Sequence, residues 1–225
     1  MRKIMLNGRW ELAEAGKDTL CEVQVPESVL SGLYGAGKIE DPFYRTNEDA
    51  TRELFWKDYE FCRTFVVTED VLKEEKVVLV CEGLDTLTDI YINGEKAGST
   101  DNMHRTWKLD VKEFLHSGEN QIRIVFQSVF KYIEDYEYEE NKEIHYVPCG
   151  GMKGNQLIRK AHCMFGWDWG PQTIDVGIFR DIYLEAYSHP RIEDVKITQR
   201  HGDNAVDVCT TVAVSGDAVD KCQVR

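Results

Sequence analysis

Hydrophobic and polar residues in this chain alternate mostly with the two-residue period of β-strands. Tyr59, Phe61, Arg63, Phe65 and Val67 alternate with Glu60, Cys62, Thr64 and Val66, and Asp58 and Thr68 bound the run. Residues 77–81 are a nearly continuous apolar run, which suits a strand inside a sandwich. Residues 89–96 predict a hairpin around Asn93-Gly94, because Asn-Gly tolerates the positive φ angles of a tight turn that follows strand twist. Residues 120–127 alternate Ile122, Ile124 and Phe126 against Gln121, Arg123 and Val125. Residues 178–187 predict one further strand, and weaker patterns cover 9–11, 22–25 and 106–110.

Helical patterns are short and lie between these strands. Residues 28–34 follow Pro26 and end in Gly-rich sequence, predicting a two-turn helix. Asn47 can cap a helix through Leu54, since its side-chain oxygen accepts from free N–H groups. Residues 129–138 carry Val129, Ile133 and Tyr136 at helical spacing. The acidic cluster Glu134, Asp135, Glu137, Glu139 and Glu140 there reads as a solvated face, or as a rim that repels anions. Many short strands separated by turns predict a mainly β fold, an antiparallel jelly-roll β-sandwich with short helices.

The pattern changes near Ser188-His189-Pro190. Residues 191–198 and 205–214 alternate on either side of a polar turn, and a third strand begins near 221–224. An immunoglobulin-like sandwich takes roughly 100 residues. Residues 189–225 therefore predict only the opening of such a domain, after a first domain spanning 1–188. Without partner strands, that segment is expected to be poorly ordered or to pair an exposed edge with another surface.

Composition narrows the possible partners. The 225 residues are 42% hydrophobic and 11% aromatic, enough for a core, which excludes a disordered chain. Against 27 basic residues stand 40 acidic ones, a net charge of −13. That balance argues against nucleic acid and anionic membranes as partners, because phosphate binding needs clustered Lys and Arg. No stretch approaches the roughly 18 apolar residues of a membrane span, and residues 1–10 lack the apolar region of a signal peptide. The seven cysteines are widely spaced and odd in number, which points to reduced thiols in a cytoplasm. Cys62 and Cys81 sit in apolar runs and read as small core residues. His145/Cys149 and His162/Cys163 lack the ligand spacing of a zinc site, so neither metal nor cofactor is expected.

The segment richest in candidate chemistry is Arg159-Lys160-Ala161-His162-Cys163-Met164-Phe165-Gly166-Trp167-Asp168-Trp169-Gly170-Pro171. Two tryptophans flank a carboxylate in a Gly-rich stretch with neither helical nor strand period. Indole faces stack on the C–H faces of a sugar ring, and a carboxylate accepts from neighbouring hydroxyls. Residue types alone also allow both tryptophans to cap the sandwich core and Asp168 to satisfy a buried turn. Glycoside hydrolysis needs two carboxyl groups facing one bond, roughly 5–10 Å apart, and no such pair stands out. No Gly-x-Ser-x-Gly elbow exists, and His104 has no evident partner.

Read together, these segments make the chain resemble the N-terminal part of β-mannosidases of glycoside hydrolase family 2. Residues 6–10, Leu-Asn-Gly-Arg-Trp, are similar to the family's opening strand. Val25-Pro26-Glu27-Ser28-Val29 resembles "VPG(S/T)V", with Glu27 in place of the usual Gly. Residues 41–48, Asp-Pro-Phe-Tyr-Arg-Thr-Asn-Glu, resemble "DPFYGxNE", with Arg45 in place of the common Gly. Gly83-Leu84-Asp85-Thr86 and then Asn93-Gly94 are similar to "GLDT…xxNG", and residues 100–105 to "TDNMFR". Residues 165–171 match "FGWDWGP", and Gly177-Ile178-Phe179-Arg180 is similar to "GI(W/Y/F)R".

The resemblance implies a galactose-binding-domain-like jelly roll that serves a retaining, exo-acting β-mannosidase without being catalytic itself. Both catalytic glutamates would lie in a (β/α)8 barrel, which needs roughly 250 residues and so would lie outside these 225. The chain is then expected to be an inactive fragment that completes the terminal-sugar subsite over its own C-terminal barrel. The candidate substrate-binding residues are Asp168, Trp167 and Trp169. Asp168 would accept from the sugar's hydroxyls, Trp167 would wall the pocket, and Trp169 would lie more against the sandwich. Alternatives remain open on sequence: one is a free-standing carbohydrate-binding module, and a second is the N-terminal domain of a family 2 β-galactosidase or β-glucuronidase. A third is a domain that only braces the barrel.

Overall fold

A computed structural model describes residues 2–135, 151–152 and 154–216. His145, Cys149, Cys222, the strand expected near 221–224 and the side chains of the acidic cluster lie outside the described residues.

The strands are β1 (Arg2–Met5), β2 (Gly8–Glu14), β3 (Thr19–Val25), β4 (Glu27–Ser28), β5 (Tyr59–Val67), β6 (Lys76–Cys81), β7 (Leu84–Asp85) and β8 (Thr88–Ile92). They continue with β9 (Glu95–Thr100), β10 (Trp107–Asp110), β11 (Gly118–Phe126), β12 (Gly177–Ile178), β13 (Ile182–Tyr187), β14 (Arg191–His201) and β15 (Val206–Ser215). Four short helices join them: α1 (Val29–Gly35), α2 (Asn47–Leu54), α3 (Glu69–Leu72) and α4 (Val129–Asp135).

The strands build an antiparallel sandwich. One sheet has the order β3-β2-β5-β11-β8-β9 and the other β1-β13-β6-β10. Strict alternation along β5 and β11 sends Phe61, Phe65, Ile122, Ile124 and Phe126 into the core, where they meet Leu79, Ile182 and Leu184 of the facing sheet. Phe61 and Phe126 meet edge to face at 5.4 Å. Each such side chain contributes about 1.5–3 kcal/mol on burial, so these inner faces hold the two layers together. A third, small sheet, β4-β12-β7, closes one end. It brings Glu27–Ser28, Leu84–Asp85 and Gly177–Ile178 side by side.

Several local expectations change in three dimensions. The strand expected over 178–187 is broken into β12 and β13, because β12 serves the small end sheet and β13 the sandwich. Asn47 does not cap α2; its side chain donates to the Asp41 carbonyl at 2.8 Å and Thr46 takes the cap position. Cys81 is buried, but Cys62 is only half-buried on the outer side of β5, between Glu11 and Arg123. Of α4, the described part ends at Asp135.

Strands β14 and β15 pair with each other and with no other described strand. A register shift between Ile192 and Asp194 keeps Ile192 on the same side as Val195 and Ile197. That side, continued by Val206 and Val208, is exposed. The segment expected to be poorly ordered or edge-paired is thus a regular hairpin with an open apolar face.

Both departures from the family motifs are absorbed locally. Glu27 accepts from Ser31 Oγ and from Ser28 N–H, beside the Ser28 cap of α1. Arg45 stands at φ 55 in the tight turn before α2, a left-handed conformation that costs a non-glycine residue about 1–2 kcal/mol. Its guanidinium lies over the Tyr44 ring, 5.0 Å from the centroid. Glycine relieves that strain but gives the unfolded chain more freedom, which offsets roughly 0.4–1 kcal/mol. Arg45→Gly should therefore stabilise by about 0.5 kcal/mol and raise the melting temperature by about 1–2 °C. A lower melting temperature would show that the Arg45–Tyr44 contact outweighs the backbone strain.

Candidate functional site

Residues 159–175 leave the sandwich at the end closed by the β4-β12-β7 sheet. The loop starts against residues 102–103. Asn102 and Arg159 form an isolated parallel bridge, and Met103 N–H donates to Arg159 O at 3.1 Å. Phe165 is the loop's hydrophobic anchor, 0% exposed, and its carbonyl accepts from Met152 N–H at 2.8 Å. Gly166 follows at φ 81, where a Cβ would collide with the Gln172 side chain and crowd the Pro171 carbonyl at 3.2 Å. Only glycine fits there. Gln172 is held from α2, its N–H donating to Glu48 at 2.8 Å and its side-chain oxygen accepting from Arg52 at 3.1 Å.

Between these anchors the chain turns sharply. Gly170 N–H donates to Trp167 O at 3.4 Å, closing a four-residue turn with Asp168 and Trp169 at its corners. Corner residues point away from the backbone that closes the turn. Trp169 is accordingly 85% exposed, and Trp167, at the turn's first position, is 50% exposed. This corrects the expectation that Trp169 lies against the sandwich. Phe165 fills the buried place instead, and the turn carries both indoles outward.

The two tryptophans line a cleft of about 590 Å³ together with Asn155, His162, Pro171 and Thr173. No Lys, Arg, Asp or Glu is among its described walls. Asp168 is exposed at the turn's corner and does not wall this cleft. The structure thus brings Trp167 and Trp169 to one surface and sets Asp168 beside it. His104 is exposed, with its backbone N–H donating to Asn102 at 2.8 Å.

Beneath the loop lies a charged cluster that no local pattern foretold. Lys160 is 1% exposed. Its ammonium donates to Asp85 Oδ2 at 2.6 Å and to the backbone carbonyl of Asp175. The Asp175 carboxylate accepts from Leu30 N–H at 3.0 Å and from Val176 N–H at 2.8 Å. Burial pushes Lys160 below the ordinary lysine range, opposed by the charges of Asp85 and Asp175. Burial also raises the Asp175 carboxyl to about 6, opposed first by the Ser28 hydroxyl and then by the Leu30 and Val176 N–H groups. The one available sequence signal was a lysine flanking an aromatic loop, and nothing in it names Asp85, 75 positions away.

Residues 10–180 match the family model described as glycosyl hydrolase 2 galactose-binding domain-like. Among curated relatives, the β-mannosidase of Capra hircus is 29% identical over 233 residues, covering 96% of this chain and 26% of that protein. The β-mannosidase of Mus musculus is 30% identical, covering 81% and 21%. Among solved structures, the β-D-mannosidase from Dictyoglomus thermophilum superposes with a TM-score of 0.78 at 31% identity, over 95% of this chain and 26% of that one. A β-D-glucuronidase from the same organism, at 15% identity and a TM-score of 0.59, shares the fold. The chain spans about a quarter of the length of the curated relatives it matches most fully.

The half-buried, poorly hydrated carboxyl of Asp175 predicts a pH effect. Asp175 titrates near 6 when folded and near the ordinary value of 3.8 when unfolded. Its raised value stabilises the fold below about pH 4, and this contribution is lost as the pH rises through about 6. Asp175→Asn keeps an acceptor and removes that loss, on the order of 2–3 kcal/mol. The variant's melting temperature, relative to the parent's, should therefore be several degrees higher at pH 8 than at pH 4.5. A pH-independent difference would mean that the Asp175 carboxylate is not poorly compensated in the folded chain.

Proposed function

The chain belongs to the glycosyl hydrolase 2 galactose-binding domain-like family, and from that membership we propose that it is the sugar-facing N-terminal domain of a retaining, exo-acting β-mannosidase. The observation that carries the proposal is the Trp167–Gly170 turn. It sets two indoles on the wall of an open cleft, and packed elements hold it from beneath. Exposed apolar rings gathered at one cleft commonly mark a place that a ligand or partner covers. Indole faces suit the apolar side of a pyranose ring, and the Asp168 carboxylate beside them suits its hydroxyls.

The division of labour follows from what the cleft offers. Its described walls carry no pair of carboxyl groups, so a nucleophile and an acid/base must come from elsewhere. On this proposal they come from a (β/α)8 barrel in the same polypeptide, and the chain by itself does not hydrolyse mannosides. The proposal divides the chain near Ser188, supported by a hairpin, β14-β15, that pairs with nothing else described. Its apolar face suits the opening of an immunoglobulin-like sandwich. Cytoplasmic location belongs to the same proposal, supported by five unpaired thiols among the described residues.

An aryl β-mannoside tests this directly. The 225-residue chain should show no turnover, and the full enzyme that contains it should show retaining hydrolysis. Hydrolysis by the chain alone would overturn the division of labour. Millimolar or tighter mannoside binding by the chain alone would favour a free-standing binding module. In the full enzyme, Asp168→Ala should lower kcat/KM by about 100-fold or more through lost transition-state contacts. Trp167→Ala should lower kcat/KM with little change in melting temperature, since its ring is half exposed. A lower melting temperature with unchanged kinetics would make the loop a brace.

A further inference from the structure

Lys160 is the least expected side chain in the interior. Taking an ammonium and a carboxylate out of water costs so much that a buried ion pair is often no more stable than two apolar side chains of the same size. Stability alone gives no reason for a lysine here. What an ammonium supplies and a thioether cannot is direction, with three N–H donors at one point. Two of them reach different segments, Asp85 in β7 and the Asp175 carbonyl near the loop's end. Lys160 itself stands at the loop's start, next to the Asn102–Arg159 bridge. The Asp175 carboxylate carries the connection on to the first turn of α1 through Leu30.

We infer that Lys160 is the positioning residue of the aromatic turn. By knotting both ends of the loop to β7, it holds Trp167, Asp168 and Trp169 in one fixed arrangement at the cleft. Its side chain is 0% exposed, so it touches no ligand and acts only through the backbone it ties. Other bonds tie the start to residues 102–103 through Arg159, the middle to Met152 and α2, and the end to α1 through Asp175, but the Lys160 ammonium joins the start and the end to each other and to β7. The purpose of this order rests on the proposed sugar contact, but the order itself is measured without sugar.

The test is the indole N–H spectrum of the 225-residue chain by heteronuclear NMR. Trp10, whose Nε1 donates to Leu6 O at 2.7 Å inside the sandwich, reports on the core. The variant Lys160→Met/Asp85→Asn removes both charges, and Lys160→Met alone strands a buried carboxylate. The double variant should melt above the single one and keep the dispersed Trp10 signal. Its Trp167 and Trp169 signals should broaden or move to their unfolded-chain positions. Unchanged Trp167 and Trp169 signals would overturn the inference. So would collapse of the Trp10 signal together with theirs, since Lys160 would then be part of the general core.

Hydrogen exchange on the unmodified chain provides a second measurement. The Lys160 ammonium and the amides of Gly166 and Gln172 should show protection within about tenfold of one another, as one opening unit. Loop amides protected about 100-fold less than the ammonium would overturn the inference. If Asp168→Ala leaves the full enzyme's kinetics unchanged while the indole signals of the double variant still move, positioning is upheld and only the sugar contact fails.

Discussion

An ammonium and a carboxylate 2.6 Å apart, both sealed from water, hold together the end of the sandwich from which the aromatic loop emerges. Neither charge is tolerable there alone. Breaking a buried pair by removing one partner typically costs about 3–5 kcal/mol. Asp85 must therefore be delivered to Lys160 within hydrogen-bond reach, and the small sheet does this. Gly177 of β12 pairs with Asp85 on one side and with Ser28 on the other, so three distant segments meet at one register. The ion pair depends on that sheet, and the loop depends on the ion pair.

The rest of the sandwich is more forgiving. Its two inner faces are aliphatic and aromatic, and such cores accept many side chains of similar volume. They supply a rigid frame and say little about chemistry. The specific demands gather at the loop. Phe165 must be buried, Gly166 must be glycine, and Gln172 must meet α2. With the loop's ends tied by Lys160, these three anchors set the path of a turn whose corner residues, Asp168 and Trp169, are exposed. Exposure of Trp169 is thus a product of packing elsewhere in the loop.

Much of this was legible along the chain. The alternation over 59–67 became β5 with the same ends, and Asn93-Gly94 became the β8–β9 turn, with Asn93 at φ 52 and Gly94 at φ 87. Strand alternation and turn dipeptides act over a few residues, so the sequence displays them. The helix before β5 was placed correctly, yet its cap was misassigned to Asn47, because the competing acceptor at Asp41 exists only once the preceding turn has formed. Cys62 was misjudged for a related reason. A two-sided strand has apolar residues on both faces, and only the packed sheet shows which face is inside.

By itself, then, the amino-acid sequence determined the longer strands, the hairpin turns and the presence of a Gly-rich, tryptophan-bearing loop, since each follows from periodicity or from residues with special backbone freedom. Tertiary structure alone decided which aromatic of that loop is buried, that the run over 178–187 divides between two sheets, and that Lys160 meets Asp85 across 75 positions. The physical reason is range. Local preferences reach along a few residues, whereas the partner of a buried charge is set by how separate sheets close on one another.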